Sequence, residues 1–189
     1  MTKPITSPKG KAIFPHLTEA DYKFKSEGEY HVKLECLKSE SESIIQTIGS
    51  AIALKVKEQH DENPAKAITK APLPYEVIDD KVIFNFKMKA SGRRKDDGKT
   101  FTQKPILLQA DQTPLEEGTQ IWGDSILRIV AEPRAYNMPI GIGCTLRLKT
   151  VQVIELVTGK SKNTLGDLQV EPVVAPKVKS EETEPHNLF

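Results

Sequence analysis

Residues 81–105, KVIFNFKMKASGRRKDDGKTFTQKP, decide how this chain is expected to fold. The first part alternates apolar and polar side chains, with Phe84 and Phe86 on one face, which predicts a half-buried β-strand. Glycines at both ends of the segment SGRRKDDGK, and an Asp-Gly pair within it, indicate a turn. A return strand is expected over 100–110, interrupted at Pro105. The whole stretch therefore predicts a β-hairpin.

The same stretch concentrates positive charge. It contains eight Lys or Arg and two Asp, whereas the whole chain has a formal net charge of +1. A nearly neutral protein that gathers cations on one supersecondary unit is expected to present a surface to a polyanion. If four or five of these cations engage phosphates of a single strand, the slope of log affinity against log salt is about −3. The alternative is a solvated hairpin whose charges serve solubility.

The rest of the chain predicts further strands and one helix. The segment YHVKLEC alternates with a period of two, and isoleucines recur at helical spacing over about 40–60, after a capping box of Ser39 and Glu42. The apolar face of the last strand switches near Lys149, as expected for a bent strand in a small barrel. Further strands are predicted over 11–17, 124–133 and 143–157. The fold class is therefore all-β with one inserted helix, in a five- or six-stranded barrel.

The chain is predicted to divide into a flexible N-terminal arm (1–10), one folded domain (11–158) and a flexible acidic C-terminal tail (159–189). A length of 189 residues suits a single domain with loose ends. No segment approaches the roughly 20 apolar residues that span a bilayer, and the start does not resemble a signal peptide. Cys36 and Cys144 are expected to be buried and reduced. These features predict a soluble, intracellular protein without a membrane partner.

The sequence lacks the common motifs for catalysis and cofactor binding. It lacks GxxxxGK[ST], HExxH and GxSxG patterns, and its four histidines are scattered without an evident Cys or Asp partner. The paired aspartates, such as Asp79 and Asp80, fall in turns, where Asp is favoured for local hydrogen bonding. We therefore expect no enzymatic activity, no cofactor and no metal.

Several residues of the sequence are candidates for binding a ligand. Tyr136 follows Arg134 in PRAYNMP, where a ring and a guanidinium can hold a base between them. Tyr22 and Phe24 either extend this stacking platform or pin the arm to the barrel. Cations and aromatics together predict an interface for single-stranded nucleic acid. The nominated DNA-binding residues are Tyr75, Lys87, Lys89, Arg93, Arg94, Lys95, Lys99, Phe101, Arg128, Arg134, Tyr136, Arg147 and Lys149.

The order of motifs resembles a known family. YHVKLEC, PLPYE, VIFNFKMKAS, a charged turn, PILLQAD, SILRIVAEPRAYNMPIGIG and CTLRLKTVQVIEL follow one another over about 11–156. This order is similar to that of the single-stranded DNA-binding proteins of podovirus-type phages, the group typified by the T-odd coliphages. The resemblance implies an OB-fold barrel with an inserted helix that binds unpaired DNA without sequence preference. Members of this family often dimerise, and the resemblance also implies action in the cytoplasm of an infected bacterium, in DNA replication, recombination and repair.

The resemblance further implies a role for the C-terminal tail. Family tails are acidic, end in an aromatic residue, compete with DNA for the basic groove and dock on replication partners. Such partners would be the phage DNA polymerase and the helicase/primase. The tail here is less acidic than many family tails, which predicts weaker self-inhibition. The matching residues are Glu181, Glu182, Glu184 and Phe189.

Three alternatives to this function remain open at the level of sequence. An RNA-binding OB-fold protein would use the same cations and rings, because no residue reads a ribose hydroxyl. A non-nucleic-acid interaction or scaffold protein would use the basic hairpin against an acidic protein. A nuclease is disfavoured because no acidic metal cluster is evident.

Overall fold

A computed structural model describes residues 3–65, 67–94 and 97–158. These residues form one helix and ten strands: β1 (Ile5–Thr6), β2 (Gly10–Asp21), β3 (Glu29–Leu37), α1 (Lys38–Glu62), β4 (Tyr75–Ile78), β5 (Lys81–Lys89), β6 (Ser91–Arg93), β7 (Thr100–Thr102), β8 (Ile106–Leu108), β9 (Ile126–Met138) and β10 (Gly141–Glu155).

Five of these strands close into a barrel. Strand β2 pairs with β3, β3 with β5, β5 with β10, β10 with β9, and β9 again with β2. Neighbours are antiparallel except for β5 and β10, which run parallel. A closed ring of this kind leaves no free edge among its own strands. With α1 inserted between β3 and β4, the predicted all-β, OB-fold-like barrel with one helix is confirmed.

The alternating apolar residues of the strands fill the barrel. Val32 on β3 lies opposite Phe86 on β5, and Phe86 lies opposite Leu146 on β10. All three side chains are fully buried, as is Phe84. Burying one such side chain contributes about 1.5–3 kcal/mol to stability. The prediction that Phe84 and Phe86 belong to the core is confirmed, and the polar residues between them consequently face outwards.

Strand β10 changes its buried face at Lys149. Leu146 and Leu148 are buried before this residue, whereas Val151 and Val153 are buried after it. The pairing with β9 shifts register between Leu148 and Thr150, which marks a β-bulge at the residue between them. The predicted switch is thus confirmed, and the bulge lets one long strand serve two parts of the core.

The helix is longer than predicted and begins without the predicted cap. It starts at Lys38 directly after β3, with Leu37 at the N-cap and no side-chain hydrogen bond to the first turn. The prediction of a capping box formed by Ser39 and Glu42 is therefore wrong, because the chain enters the helix directly from strand β3. Ile44 and Ile48 are buried and pack the helix against the barrel core.

The predicted hairpin over 81–105 is wrong in its extent. Strand β5 pairs with β3, β4 and β10, and these neighbours occupy both of its edges. The expected return strand is divided at Pro105 into β7, which pairs with β6 in a small separate hairpin, and β8, which pairs in parallel with β10. The apolar face of β5 is covered by the barrel, so the return strand is not needed to bury it.

Of the two ends of the chain, the structure describes the N-terminal one. Within the segment predicted to be an arm, Ile5–Thr6 pair with β9, and β2 already begins at Gly10. The tail predicted over 159–189 lies outside the described residues. Among the residues that are described, no helix is both long enough and apolar enough to cross a bilayer.

Candidate nucleic-acid interface

Two adjoining cavities lie on the outer surface of β3, β5 and β10. Their volumes are about 820 Å³ and 310 Å³, and both are lined by Lys25, Glu29 and Lys87. We call the two together the trough. It is lined by Phe14, Asp21, Phe24, Lys25, Glu29, His31, Lys33, Asn85, Lys87, Met88, Lys89, Arg94, Phe101, Thr102, Gln103, Arg134, Tyr136, Met138, Ile140, Thr145 and Arg147.

A row of basic side chains crosses the middle of the trough. His31 on β3 pairs with Lys87 on β5, and Lys87 pairs with Arg147 on β10. Side chains of directly paired residues project from the same face of a sheet. The preceding row, which includes Phe86, is buried in the core, so this row must face outwards. The alternation that fills the barrel therefore also places these basic side chains side by side.

The trough is strongly positive, with seven Lys or Arg and two acidic residues in its lining. Four of the cations lie within 4.0 Å of a carboxylate, in the pairs Lys25–Glu29, Lys89–Glu27, Arg94–Asp97 and Arg134–Glu132. Among the described residues, the other three have no carboxylate at this distance: Lys33, Lys87 and Arg147. These three cations keep their full charge for an anion that enters the trough.

Aromatic rings occupy both parts of the trough. Phe101 and Tyr136 line the larger cavity, where both are half-buried. Phe14 and Phe24 line the smaller one and are 77% and 82% exposed. Single exposed apolar side chains are common, but exposed apolar residues that cluster on one surface indicate contact with another molecule. Rings and cations thus line the same surface.

The position of Tyr136 is set by a glycine on the neighbouring strand. Tyr136 on β9 pairs with Gly143 on β10. A Cβ atom at position 143 would lie 2.6 Å from the Tyr136 hydroxyl oxygen, so only glycine leaves room for the ring. The ring therefore lies against the backbone of β10, and it lines the larger cavity of the trough.

The structure brings together seven of the thirteen residues nominated from the sequence. They line the trough and come from β5, the β6–β7 hairpin, β9 and β10: Lys87, Lys89, Arg94, Phe101, Arg134, Tyr136 and Arg147. The predicted Lys95 lies outside the described residues. The remaining five lie elsewhere: Tyr75, Arg93, Lys99, Arg128 and Lys149.

Tyr75 and Arg128 are placed away from the trough by their strands. Tyr75 lies opposite Phe84, with ring centroids 5.9 Å apart, and packs against the edge of the core. Arg128 is half-buried and lies opposite Gln152, whose amide donates to the Ala110 carbonyl. Neither residue joins the surface that the sequence assigned to it.

Arg93 and Lys99 belong to the small hairpin rather than to the trough lining. The Arg93 side chain donates a hydrogen bond to the Gly98 carbonyl, at 2.6 Å, and so holds the turn closed. The Lys99 backbone N–H donates to the Asp97 carboxylate. Lys99 itself is exposed.

Lys149 is directed to Glu132, which lies opposite Arg147 at the end of the row of basic side chains. Its ammonium lies 3.2 Å from one Glu132 oxygen, while Arg134 lies 3.1 Å from the other. Burial raises the pKa of Glu132, but hydrogen bonds and charges from Lys149 and Arg134 outweigh it and hold the pKa below its ordinary value. Arg134 is thus partly neutralised, and a sandwich of one base between Arg134 and Tyr136 would have to displace Glu132.

Several residues of the trough were not among those nominated from the sequence. Lys33 alternates with core residues on β3, so the period of two could have identified it. Phe24 and Lys25 stand in DYKFK, and Phe24 is exposed in the smaller cavity of the trough, which favours the stacking interpretation of that segment. Phe14 carries no sequence signal, because its exposure depends on a backbone φ of 48°.

Comparison with solved structures identifies the fold. The chain is similar to gp2.5, a single-stranded DNA-binding protein encoded by bacteriophage T7, with a TM-score of 0.70 and 23% identity over 93% of this chain and 100% of that one. It is also similar to the single-stranded DNA-binding protein of bacteriophage Enc34, with a TM-score of 0.58 and 18% identity over 87% and 88% of the two chains. The Enc34 protein in complex with single-stranded DNA gives a TM-score of 0.59 at 17% identity, over 82% and 88% of the chains.

No protein-family model matches the chain, and no curated protein does. At identities below one quarter, the likeness establishes the fold. This chain therefore has the OB-type fold of the phage single-stranded DNA-binding proteins, the family that its sequence motifs resemble.

Proposed function

We propose that this protein binds single-stranded DNA without sequence preference and coats unpaired DNA during phage DNA replication, recombination and repair. The observation that carries the proposal is the trough, in which Lys33, Lys87 and Arg147 lie among four exposed or half-exposed rings. Within the part of the chain that the structure describes, none of these three cations forms an ion pair with a carboxylate. Phosphate neutralisation combined with stacking on aromatics is how proteins hold unpaired strands.

The place of the trough on the barrel supports the same proposal. OB-folds bind oligonucleotides on the face of their second and third barrel strands, between the loops that join strands one to two and four to five. Here β3 and β5 are the second and third barrel strands, and Lys25 and Ile140 come from the two corresponding loops. The similarity to an Enc34 protein solved with single-stranded DNA points to the same ligand.

The chemistry of the trough favours unpaired over paired DNA. A ring such as Phe24 or Tyr136 gains a contact only when a base leaves its own stack, and each stacked base contributes about 1–3 kcal/mol regardless of its identity. In a duplex, the bases are already stacked and their faces are covered. A protein that binds only the unpaired form shifts hairpins towards single strands by mass action, without catalysis.

The phage setting rests on the sources of the two similar structures, T7 and Enc34. The protein would act in the cytoplasm of the infected bacterium, where phage DNA is copied. Its role would be to hold strands for replication enzymes rather than to perform chemistry on them.

A fluorescence titration with a 30-mer of dT and the matching duplex tests the proposal. We expect preference for the single strand and a slope of log affinity against log salt of about −2, from three unpaired cations at about 0.7 each. This is shallower than the slope expected from the sequence, because a cation that keeps its carboxylate neighbour neutralises no net phosphate charge. Equal binding of duplex and single strand would overturn the proposal. Tighter binding of oligo-U than of oligo-dT would replace it with the RNA-binding alternative.

The proposed recruitment of replication enzymes rests on the tail sequence, with Glu181, Glu182, Glu184 and Phe189. A tethered tail has an effective concentration of the order of mM, so it can compete with DNA for the trough. Deleting the residues after Glu171 is expected to tighten binding of oligo-dT by a few-fold and to abolish co-precipitation with phage polymerase and helicase/primase. If the truncated protein matched the full chain in both assays, the tail would be only a linker.

A further inference from the structure

Two histidines and one carboxylate meet at the edge of the trough. His16 and Asp21 from β2 and His31 from β3 place one ligand atom each within 4.8 Å of one another. The His16 and His31 ring centroids are 4.8 Å apart, and His31 Nε2 lies 3.4 Å from Asp21 Oδ2. No histidine has an evident Asp partner in the sequence, so this juxtaposition arises from the fold.

The irregular path of β2 creates the cluster. His16 pairs with His31, but the register of β2 against β3 shifts on both sides of that pair. A regular strand would send residues five apart, such as His16 and Asp21, to opposite faces. The two shifts instead bring both side chains to His31, and Phe14 beside them adopts a left-handed φ of 48°. Bulges that redirect side chains, and strained backbone, are features found near functional sites.

We propose that His16, Asp21 and His31 bind a divalent transition-metal ion of the zinc class. Imidazole and carboxylate ligands suit Zn²⁺, Co²⁺ and Ni²⁺, whereas Mg²⁺ and Ca²⁺ prefer oxygen ligands alone. Ligand atoms at about 2.0–2.1 Å from a tetrahedral Zn²⁺ are about 3.4 Å apart. The cluster must therefore contract by about 1.5 Å at its widest separation. Rotation of the exposed His16 side chain can supply that movement.

A backbone hydrogen bond next to the cluster favours the binding of a cation. The Lys23 backbone N–H donates to Asp21 Oδ1, which orients the carboxylate and leaves Oδ2 facing His31. The thiols do not compete for the metal, because burial raises the pKa of Cys36 to about 12 and that of Cys144 to about 11.

Three protein ligands leave one position of a tetrahedral ion open. His31 and Asp21 both line the smaller cavity of the trough, together with Lys33 and Lys87. The open position therefore faces the surface proposed to bind DNA, where a phosphate oxygen can complete the coordination. This coupling rests on the proposed function, whereas metal binding itself does not. By linkage, metal that tightens DNA binding is itself bound more tightly when DNA is present.

Isothermal titration calorimetry of the untagged, chelator-treated chain with ZnCl₂ tests the site. We expect one equivalent to bind, and the binding to be lost in His16→Gln and in Asp21→Asn. The control His60→Gln, at an exposed position of α1, should bind as the wild type does. His16 is exposed, so its replacement should leave the melting temperature of the metal-free protein unchanged. Absence of saturable binding, or binding that survives His16→Gln, would overturn the site.

Titration of oligo-dT with and without one equivalent of Zn²⁺ tests the coupling separately. We expect a tightening of about fivefold or more in the wild type and none in His16→Gln. If the protein binds the metal but shows no such tightening, the proposed metal site is supported and the proposed coupling to DNA binding is overturned. Metal binding in a protein with no affinity for oligo-dT would keep the site and overturn the proposed function.

Discussion

The double variant Lys87→Glu/Arg147→Glu is expected to bind single-stranded DNA about 100-fold more weakly than the wild type. Each charge-assisted contact to a phosphate contributes about 1.5 kcal/mol, and the loss of two such contacts corresponds to about two powers of ten. Lys87 and Arg147 lie side by side on β5 and β10, are unpaired among the described residues, and stand in the middle of the trough. The salt slope should fall from about −2 to about −0.6, because two contributions of about 0.7 are removed.

A matched control separates this local effect from a general change in charge. Lys38→Glu/Lys57→Glu changes the net charge by the same amount at two exposed residues of α1. Fluorescence titration of oligo-dT should give nearly wild-type affinity for this control. An equal loss of affinity in both double variants would mean that the net charge, and not the trough, determines binding.

Replacing Tyr136 with Ala is expected to weaken binding of oligo-dT by about 5- to 150-fold. This range corresponds to the loss of one stacked base, at about 1–3 kcal/mol. Tyr136→Phe keeps the ring and should bind almost as the wild type does. Because the Tyr136 ring rests against Gly143, a modest fall in melting temperature is expected in the Ala variant as well.

Tyr75→Ala serves as the control for this prediction, because Tyr75 is also a half-buried tyrosine but packs on Phe84. It should lower the melting temperature while leaving the DNA affinity of the folded protein unchanged. The opposite pattern, with DNA affinity lost in Tyr75→Ala and retained in Tyr136→Ala, would contradict the assignment of the stacking surface.

Much of the barrel could be predicted because its strands alternate in sequence. Phe84 and Phe86 indicate the buried face of β5, and Lys87 consequently faces outwards. That Lys87 lies beside Arg147 could not be predicted, because the two residues meet only through the parallel pairing of β5 with β10. The predicted hairpin failed for the same reason. Local pattern identifies strands, but the closure of the barrel decides which strands are neighbours.

Lys149, which lies outside the trough, and Phe14, which lines it, both stand where the backbone departs from regular strand geometry. Lys149 sits at the bulge of β10, and its ammonium pairs with Glu132 instead of joining the trough. Phe14 reaches the trough through a left-handed backbone conformation. Neither bulges nor positive φ values at residues other than glycine leave a clear pattern in the sequence.

Photo-cross-linking tests most directly whether single-stranded DNA lies in the trough. An oligonucleotide that contains 5-iodouracil at successive positions would be irradiated in complex with the protein, and the cross-linked residues would be identified by mass spectrometry. The cross-links are expected at Phe24, Phe101 and Tyr136. Trp122 is 51% exposed but is not part of the trough lining, so it provides an internal control. Cross-links confined to Trp122 or to α1, with none at the trough rings, would contradict binding in the trough.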